Sequence, residues 1–393
     1  MTLRFTEGGP ALTTQDPIWQ IAVGCPGHPA PLSLGGPVIR TAPARRLTTG
    51  FVTVLTSVLA MTALAAAPAL ADNDPAPLNG GEASRDEPVR IDVPVPTVPA
   101  PGREGMNGVM EIRVGRSAPF LVMVDTGSVG LRVFPGAWGT RPAGVTIGGE
   151  RVSTTSGGSS MGGFLGKAPM TIGGVTTTRP IGFQFVDSSA AVVRGWAAKR
   201  VYGIIGIGTG RYRLTNPLTA LPGEVGTRWS LHLGGNPLTR QSGMGHLILG
   251  AENPGNAEAS FQLPPLGPDG YGALLWNDHA APGCWTFGAT RTQCIDTWFD
   301  SGFHPMRVKG AVFSRVPTTP SKEVRAGTRV ALADAGSSFD FWEFRAGRTA
   351  SANEVRLASA GGAAINTGNA PYFRYVVTYD VTRGLISLSN PRR

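Results

Sequence analysis

Two nine-residue segments hold the residue types best suited to chemistry. Residues 125–133 read DTGSVGLRV, and residues 300–308, 175 positions further on, read DSGFHPMRV. Asp, Gly, Arg and Val coincide in the two copies, while Thr/Ser and Leu/Met are close exchanges. Each copy follows a β-prone run, residues 120–124 and 297–299. A strand ending in Asp-(Thr/Ser)-Gly presents a carboxylate on a tight turn, which the conformational freedom of Gly127 and Gly302 would permit. Two such turns face to face would put Asp125 and Asp300 together. Like charges about 3 Å apart cannot both ionise easily, so the pair would share one proton. One acid would then polarise a carbonyl while the other took a proton from water. The pair titrates as a unit, and neither role belongs to one residue alone.

Rival sites are weaker on context. A lone Asp-Thr-Gly is ordinarily a surface turn, and it is the second copy in the same frame that points to a site. Asp334-Ala335-Gly336 also follows an apolar run, but Ala335 has no hydroxyl and no Arg-Val completes the repeat, so it reads as a turn. Asp296-Thr297 is followed by Trp298 where the turn needs Gly. Residues 158–162, GSSMG, match the pattern of a serine nucleophile around Ser160. That elbow must join a strand to a helix, and the GFLGKAP that follows is hairpin-like. Residues 206–210, GIGTG, would need a following helix to bind a dinucleotide, and Arg211 and Pro217 leave little room for one. His304 reads as a pocket-lining or surface residue, since paired carboxylates need no imidazole.

The elements that must position these residues are short strands. The chain has 393 residues with 55 Gly, 33 Pro and only 16% charged side chains, which favours strands and turns over helices. Dense β signals run from Gly108, while 196–200 and 354–360 are the modest helix candidates. Residues 72–104 read as a flexible N-terminal segment ending in an edge-type strand, because its prolines are tolerated at an edge. Two β-rich halves, 105–225 and 226–393, each hold one Asp turn, which implies a duplicated lobe architecture.

Residues 1–71 read as an export leader: Arg45-Arg46, an apolar run from Leu47, and a small-residue end at Ala69-Leu70-Ala71. Thr residues and Pro68 interrupt that run, which argues against a stable membrane span. Cys25 falls in the leader, leaving Cys284 and Cys294, ten apart, to form a disulfide in an oxidising compartment. No further Cys or His stands at ligand spacing, so no metal or other cofactor is expected. The net charge of +9 is scattered without a basic run, which excludes nucleic acid as the partner and leaves at most loose attraction to an anionic surface. A secreted or cell-envelope monomer is expected.

Taken together, residues 105–390 resemble the pepsin-like aspartic peptidase family. Residues 125–133 are similar to its DTGS-x-x-L-Trp-V segment, with Arg132 in place of the Trp. Residues 159–174 resemble the second strand and continuation of its flap, 202–208 the apolar segment threaded beside the first catalytic turn, 246–250 the strand opening the second lobe, and 367–380 with 384–387 the C-terminal strands. The resemblance implies an all-β, bilobal fold with a cleft, and peptide or protein substrates. It implies a catalytic pair Asp125 and Asp300 supported by Thr126, Gly127, Ser128, Ser301 and Gly302, with Thr126 and Ser301 gripping the two turns. It also implies a flap at Ser156, Gly157, Gly158, Ser159 and Ser160. The family's flap Tyr aligns with Ser156, its supporting Trp with Arg132, and its usual Ser or Thr after the second triplet with Phe303. Phe164 and Trp138 are the aromatics placed to fill the flap vacancy. The alternative in another class is a catalytically silent relative that binds a protein or glycan in the same cleft.

Overall fold

Apolar runs buried on both faces form strands without alternation, and such runs frame the first Asp turn, while the strands framing the second alternate. The computed structural model describes residues 89–391 apart from 103–104, 157–158, 188–189, 253, 293, 338, 349–350 and 359–361. The expected leader, residues 72–88, and Gly157 and Gly158 lie outside the described residues. Strands β1 (Ile91–Pro99), β2 (Met106–Val114), β3 (Phe120–Asp125) and β4 (Val129–Val133) precede a hairpin of β5 (Thr146–Ser156) and β6 (Ser159–Ala168). They join a 15-stranded sheet that also takes Ile181–Val186, Val201–Ile207, Arg228–His232, Met244–Leu249, Ala259–Gln262, Val376–Asp380 and Leu385–Ser389. An 8-stranded sheet includes Ala281–Phe287, Ile295–Trp298, Met306–Lys309, Arg329–Ala333 and Ala364–Asn366. The chain is mostly β.

Both Asp turns are built by one device. β3 runs into Asp125 and β4 leads away, and Val201–Ile207 lies between them. It runs parallel to β3 with Ile205 beside Val124, and antiparallel to β4 with Ile205 opposite Leu131. In the second half Ile295–Trp298 leads toward Asp300 and Met306–Lys309 leads away. Ala364–Asn366 lies between these two, with Ile365 beside Thr297 and opposite Val308. A strand threaded between the limbs of a turn leaves no space at the crossing, and a Cβ on Gly206 would run into the backbone of Ser128. Phe299, just before Asp300, is 1% exposed and packs on Phe261 at 5.3 Å between ring centroids. Burying such a ring stabilises by about 2–3 kcal/mol and pins the strand end that carries the carboxylate.

Three local expectations are corrected. β1 is internal to its sheet, lying between Met244–Leu249 and β2. Ile91 to Pro96 pair with Met244–Leu249 and Thr97 to Pro99 with β2, so each residue is paired on one side and the missing proline N–H groups cost no ladder bond. The helix candidate at 354–360 contains instead the strand Val355–Ala358, parallel to Met306–Lys309. Pairing there outweighs the helix-compatible composition. The candidate at 196–200 is the end of a helix that begins earlier, Ala191–Ala197, and a second short helix, Ala370–Arg374, carries proline in its first turn, where no N–H is needed.

Candidate active site

Thr126 and Ser301 lock the two turns into one unit. The Thr126 N–H donates to Ser301 Oγ at 3.0 Å, and the Ser301 N–H donates to Thr126 Oγ1 at 2.9 Å. Each hydroxyl then donates to a carbonyl beside the opposite turn, Thr126 to Phe299 O at 3.0 Å and Ser301 to Val124 O at 3.1 Å. Both side chains are buried, so losing either hydroxyl would strand the N–H that it accepts away from water, at about 1–3 kcal/mol. Beneath this grip the Tyr372 hydroxyl lies 2.7 Å from Thr126 Oγ1 and 2.7 Å from the Tyr379 hydroxyl, and both phenols also donate to Phe299 O.

The grip brings the carboxylates together. The Gly127 N–H donates to Asp125 Oδ1 at 2.9 Å and the Gly302 N–H to Asp300 Oδ1 at 3.0 Å. Neither glycine has a positive φ, so conformational freedom is not what these positions require. The requirement is space: a Cβ on Gly127 would collide with the Asp300 carboxyl, and one on Gly302 with that of Asp125. Each outer oxygen has its own donor. The Ser128 hydroxyl donates to Asp125 Oδ2 at 2.7 Å, and the Asn366 amide donates to Asp300 Oδ2 at 2.7 Å. Asn366 thus supplies from the threaded strand the donor that Phe303 lacks. Asp300 is held well above the usual carboxylate range, first by burial and then by the Asp125 charge, with Asn366 pulling the other way.

The hairpin β5–β6 ends the same sheet, joined to β4 through Ile181–Val186, and is paired from Thr146 and Lys167 up to Ser156 and Ser159. Across it the hydroxyls of Ser153 and exposed Ser160 meet at 2.9 Å. Ser160 lies within a strand and not on a strand-to-helix elbow. The aromatics proposed for the flap vacancy are engaged elsewhere. Trp138 stacks on Phe185 at 5.8 Å and meets Phe120 edge-on at 5.9 Å, while Arg151 covers the Phe164 ring at 4.6 Å. Arg132 instead is buried between the hairpin and the first turn, bonded to Thr154 and Ser128.

A second polar cluster adjoins the carboxylates, and nothing in the spacing of the sequence signals it. Buried Asp278 accepts the Thr209 N–H, and His279 Nε2 lies 3.2 Å from the Tyr212 hydroxyl and 3.8 Å from Asp278 Oδ1. The imidazole stacks on Trp298 at 3.7 Å and reaches the backbone of Gly127. Burial pushes Asp278 up and His279 down, each opposed by the other's charge. Trp276 and Thr209 are also joined, through the Trp276 N–H to Thr209 O at 2.9 Å, which ties a loop of the second half to one of the first.

The other sequence candidates lie apart from the paired carboxylates. His304 is not a surface residue: it is buried with its ring against Gly105. Asp334 caps a turn by accepting the Gly336 N–H at 3.1 Å. Cys284 and Cys294 form a disulfide that joins the strand Ala281–Phe287 to the approach of Ile295–Trp298. Among the described residues no cluster of three or more His, Cys, Asp or Glu side chains is arranged to hold a metal, and no helix is long and apolar enough to cross a membrane.

No family model matches this chain, and no curated protein matches it. Among solved structures it is similar to the crystal structure of an aspartic proteinase from Irpex lacteus, with a TM-score of 0.52 and 16% identity, over 77% of this chain and 97% of that one. The fold is that of a pepsin-like aspartic proteinase. Within that pepsin-like frame the repeat of residues 125–133 and 300–308 occupies equivalent places in two sheets. Asn366 and Arg132 are the site residues that the repeat alone did not bring to notice, although an Arg stands at the same place in both copies.

Proposed function

We propose that this chain is an aspartic endopeptidase that hydrolyses peptide bonds with a water activated between Asp125 and Asp300. The observation that carries the reading is the reciprocal Thr126–Ser301 grip, which presents two buried carboxyls to each other with a separate donor on each outer oxygen. Such an arrangement holds one proton and one negative charge between two acids. The ionised member takes a proton from the bound water as its oxygen attacks the scissile carbonyl. The protonated member donates a hydrogen bond to the carbonyl oxygen as negative charge develops there. Return of a proton to the amine nitrogen then releases both products and restores the shared-proton state.

The disulfide supports export to an oxidising compartment, where the chain would act as a secreted or cell-envelope monomer on peptide or protein substrates. The test is cleavage of a peptide library by the purified protein across acidic and neutral pH, with and without pepstatin. Cleavage blocked by pepstatin is expected, lost in Asp125→Asn and in Asp300→Asn without unfolding, and kept in Asp334→Asn, whose carboxylate only caps a turn. Folded protein that cleaves nothing would favour the other reading, a cleft that binds a protein or glycan without hydrolysis. An active Asp300→Asn would remove the dyad from the mechanism.

A further inference from the structure

Arg132 has no part in the hydrolytic reading above, yet the residue is only 5% exposed and built into the site. Its Nη1 donates to Ser128 Oγ and to Gly130 O, both at 3.2 Å, and its Nε donates to Thr154 Oγ1 at 3.3 Å. The Ser128 hydroxyl passes the interaction on by donating to Asp125 Oδ2 at 2.7 Å. Each donor in that row points toward the carboxylate, so the cation polarises the very hydroxyl that holds Asp125. Bonds of 3.2 and 2.7 Å laid end to end keep the guanidinium within about 6 Å of Asp125 Oδ2. At that range an opposite charge favours the ionised form of a carboxyl.

The same side chain faces the hairpin. Thr154, on β5, donates to Gln184 Oε1 at 2.6 Å. Gln184 Nε2 donates to Val152 O at 3.3 Å and to Met161 O at 2.8 Å, one on each strand of the hairpin. A single buried cation therefore connects the first carboxylate to both strands of the hairpin.

The second copy of the repeat makes the contrast. Arg307 is the counterpart of Arg132, but Phe303 stands where Ser128 does, and the Arg307 guanidinium lies over its ring at 5.5 Å. A phenyl ring passes no hydrogen bond on, and the side-chain donor to Asp300 Oδ2 is a neutral amide. Other charged or titratable groups face the pair from several elements. They are Tyr212 after Val201–Ile207, and Asp278 and His279 after Leu274–Trp276, with Lys309 acting on His279. Burial draws the Arg132 guanidinium below its ordinary value and Asp125 pushes it back, but an arginine remains cationic throughout the working range.

We propose that Arg132 is a positioning residue: its charge, delivered through Ser128, sets the pH range of the Asp125–Asp300 pair, and its bond to Thr154 ties the hairpin, near its tip, to the same carboxylate. The effect on turnover rests on the hydrolytic reading; the effect on titration does not. The test is a carboxyl-carbon NMR titration of the pair in the wild type, Arg132→Gln, Arg132→Lys and Ser128→Ala, beside kcat/KM against pH. The lower midpoint of the pair should rise by about one pH unit in Arg132→Gln and by part of that in Ser128→Ala, and stay within a few tenths in Arg132→Lys. The acid limb of kcat/KM should follow those shifts, while Thr154→Val should raise KM severalfold with the limb in place. Wild type that cleaves nothing overturns the hydrolytic reading and leaves the titration to judge Arg132. A midpoint unmoved in both Arg132→Gln and Ser128→Ala overturns the inference, and if Arg132→Gln does not fold, Ser128→Ala decides.

Discussion

Replacing Asn366 with Ala removes the amide that donates to Asp300 Oδ2 at 2.7 Å. A hydrogen bond to a charged group contributes about 1.5–3 kcal/mol. One pKa unit corresponds to 1.36 kcal/mol, so the loss should move the pair by about 1–2 pH units. The sign follows from which form the amide favours. Asn366 supports the ionised carboxylate, and without it Asp300 keeps its proton to higher pH. The alkaline limb of kcat/KM should therefore move upward in Asn366→Ala. The substitution also strands the Gly368 N–H, which now donates to Asn366 Oδ1 at 2.8 Å, at about 1–3 kcal/mol of stability. Urea unfolding measures that cost separately from the profile. Phe303→Thr in the Asn366→Ala background should bring the limb part of the way back, because a hydroxyl at the counterpart of Ser128 can reach Asp300. A folded Asn366→Ala whose pH profile superimposes on the wild type would show that this amide does not hold Asp300, and would refute the reasoning.

Asp300 carries a raised pKa in the folded state, so it contributes stability that is full below its unfolded value and is lost as pH rises through the folded one. Asp300→Asn should accordingly flatten the fall in Tm between acidic and neutral pH and raise Tm at neutral pH, as calorimetry would record. Thr126→Val should lower stability by a few kcal/mol and turnover sharply, since it breaks the grip on one side, whereas Thr126→Ser keeps the hydroxyl and should stay near wild type on both measures. Closing the ten-residue disulfide loop stabilises by about 3 kcal/mol through unfolded-state entropy, so Cys284→Ser with Cys294→Ser should shift the urea midpoint down and abolish its sensitivity to reductant.

The parts of the site that chemistry confines to one residue type were legible from residues alone. Asp125 and Asp300 close matching strand ends, Thr126 and Ser301 exchange reciprocal hydroxyl bonds, and the apolar run at residues 203–207 lies between two strands, so each left a pattern in a single chain. Asn366 left none, because it reaches Asp300 from 66 positions away and many residues could occupy a threaded strand. Arg132 was visible as a departure from Trp but not as a replacement for it, since its partners Thr154 and Ser128 are brought to it by pairing that spacing does not encode. The glycines of the two turns were expected for their conformational freedom, whereas the structure limits them by the opposing carboxyl, which no local rule contains. Likewise the prolines of β1 suggested an edge, and only the change of partner at Thr97 explains how the strand sits inside a sheet.

That change of partner has a consequence for the order of assembly. β1 is laid down first, yet its mate Met244–Leu249 follows some 150 residues later, and the sheet continues to Leu385–Ser389 near the chain end. The grip joins residues 175 positions apart. Contacts of such separation are closed late and slowly, because the loop entropy must be met before any of them is rewarded. A chain emerging from a ribosome would hold β1 open along one edge until the later strands arrive. The pairing of Asp125 with Asp300 cannot form on a partial chain, so whatever the paired carboxyls do must wait until the second turn has been made and threaded.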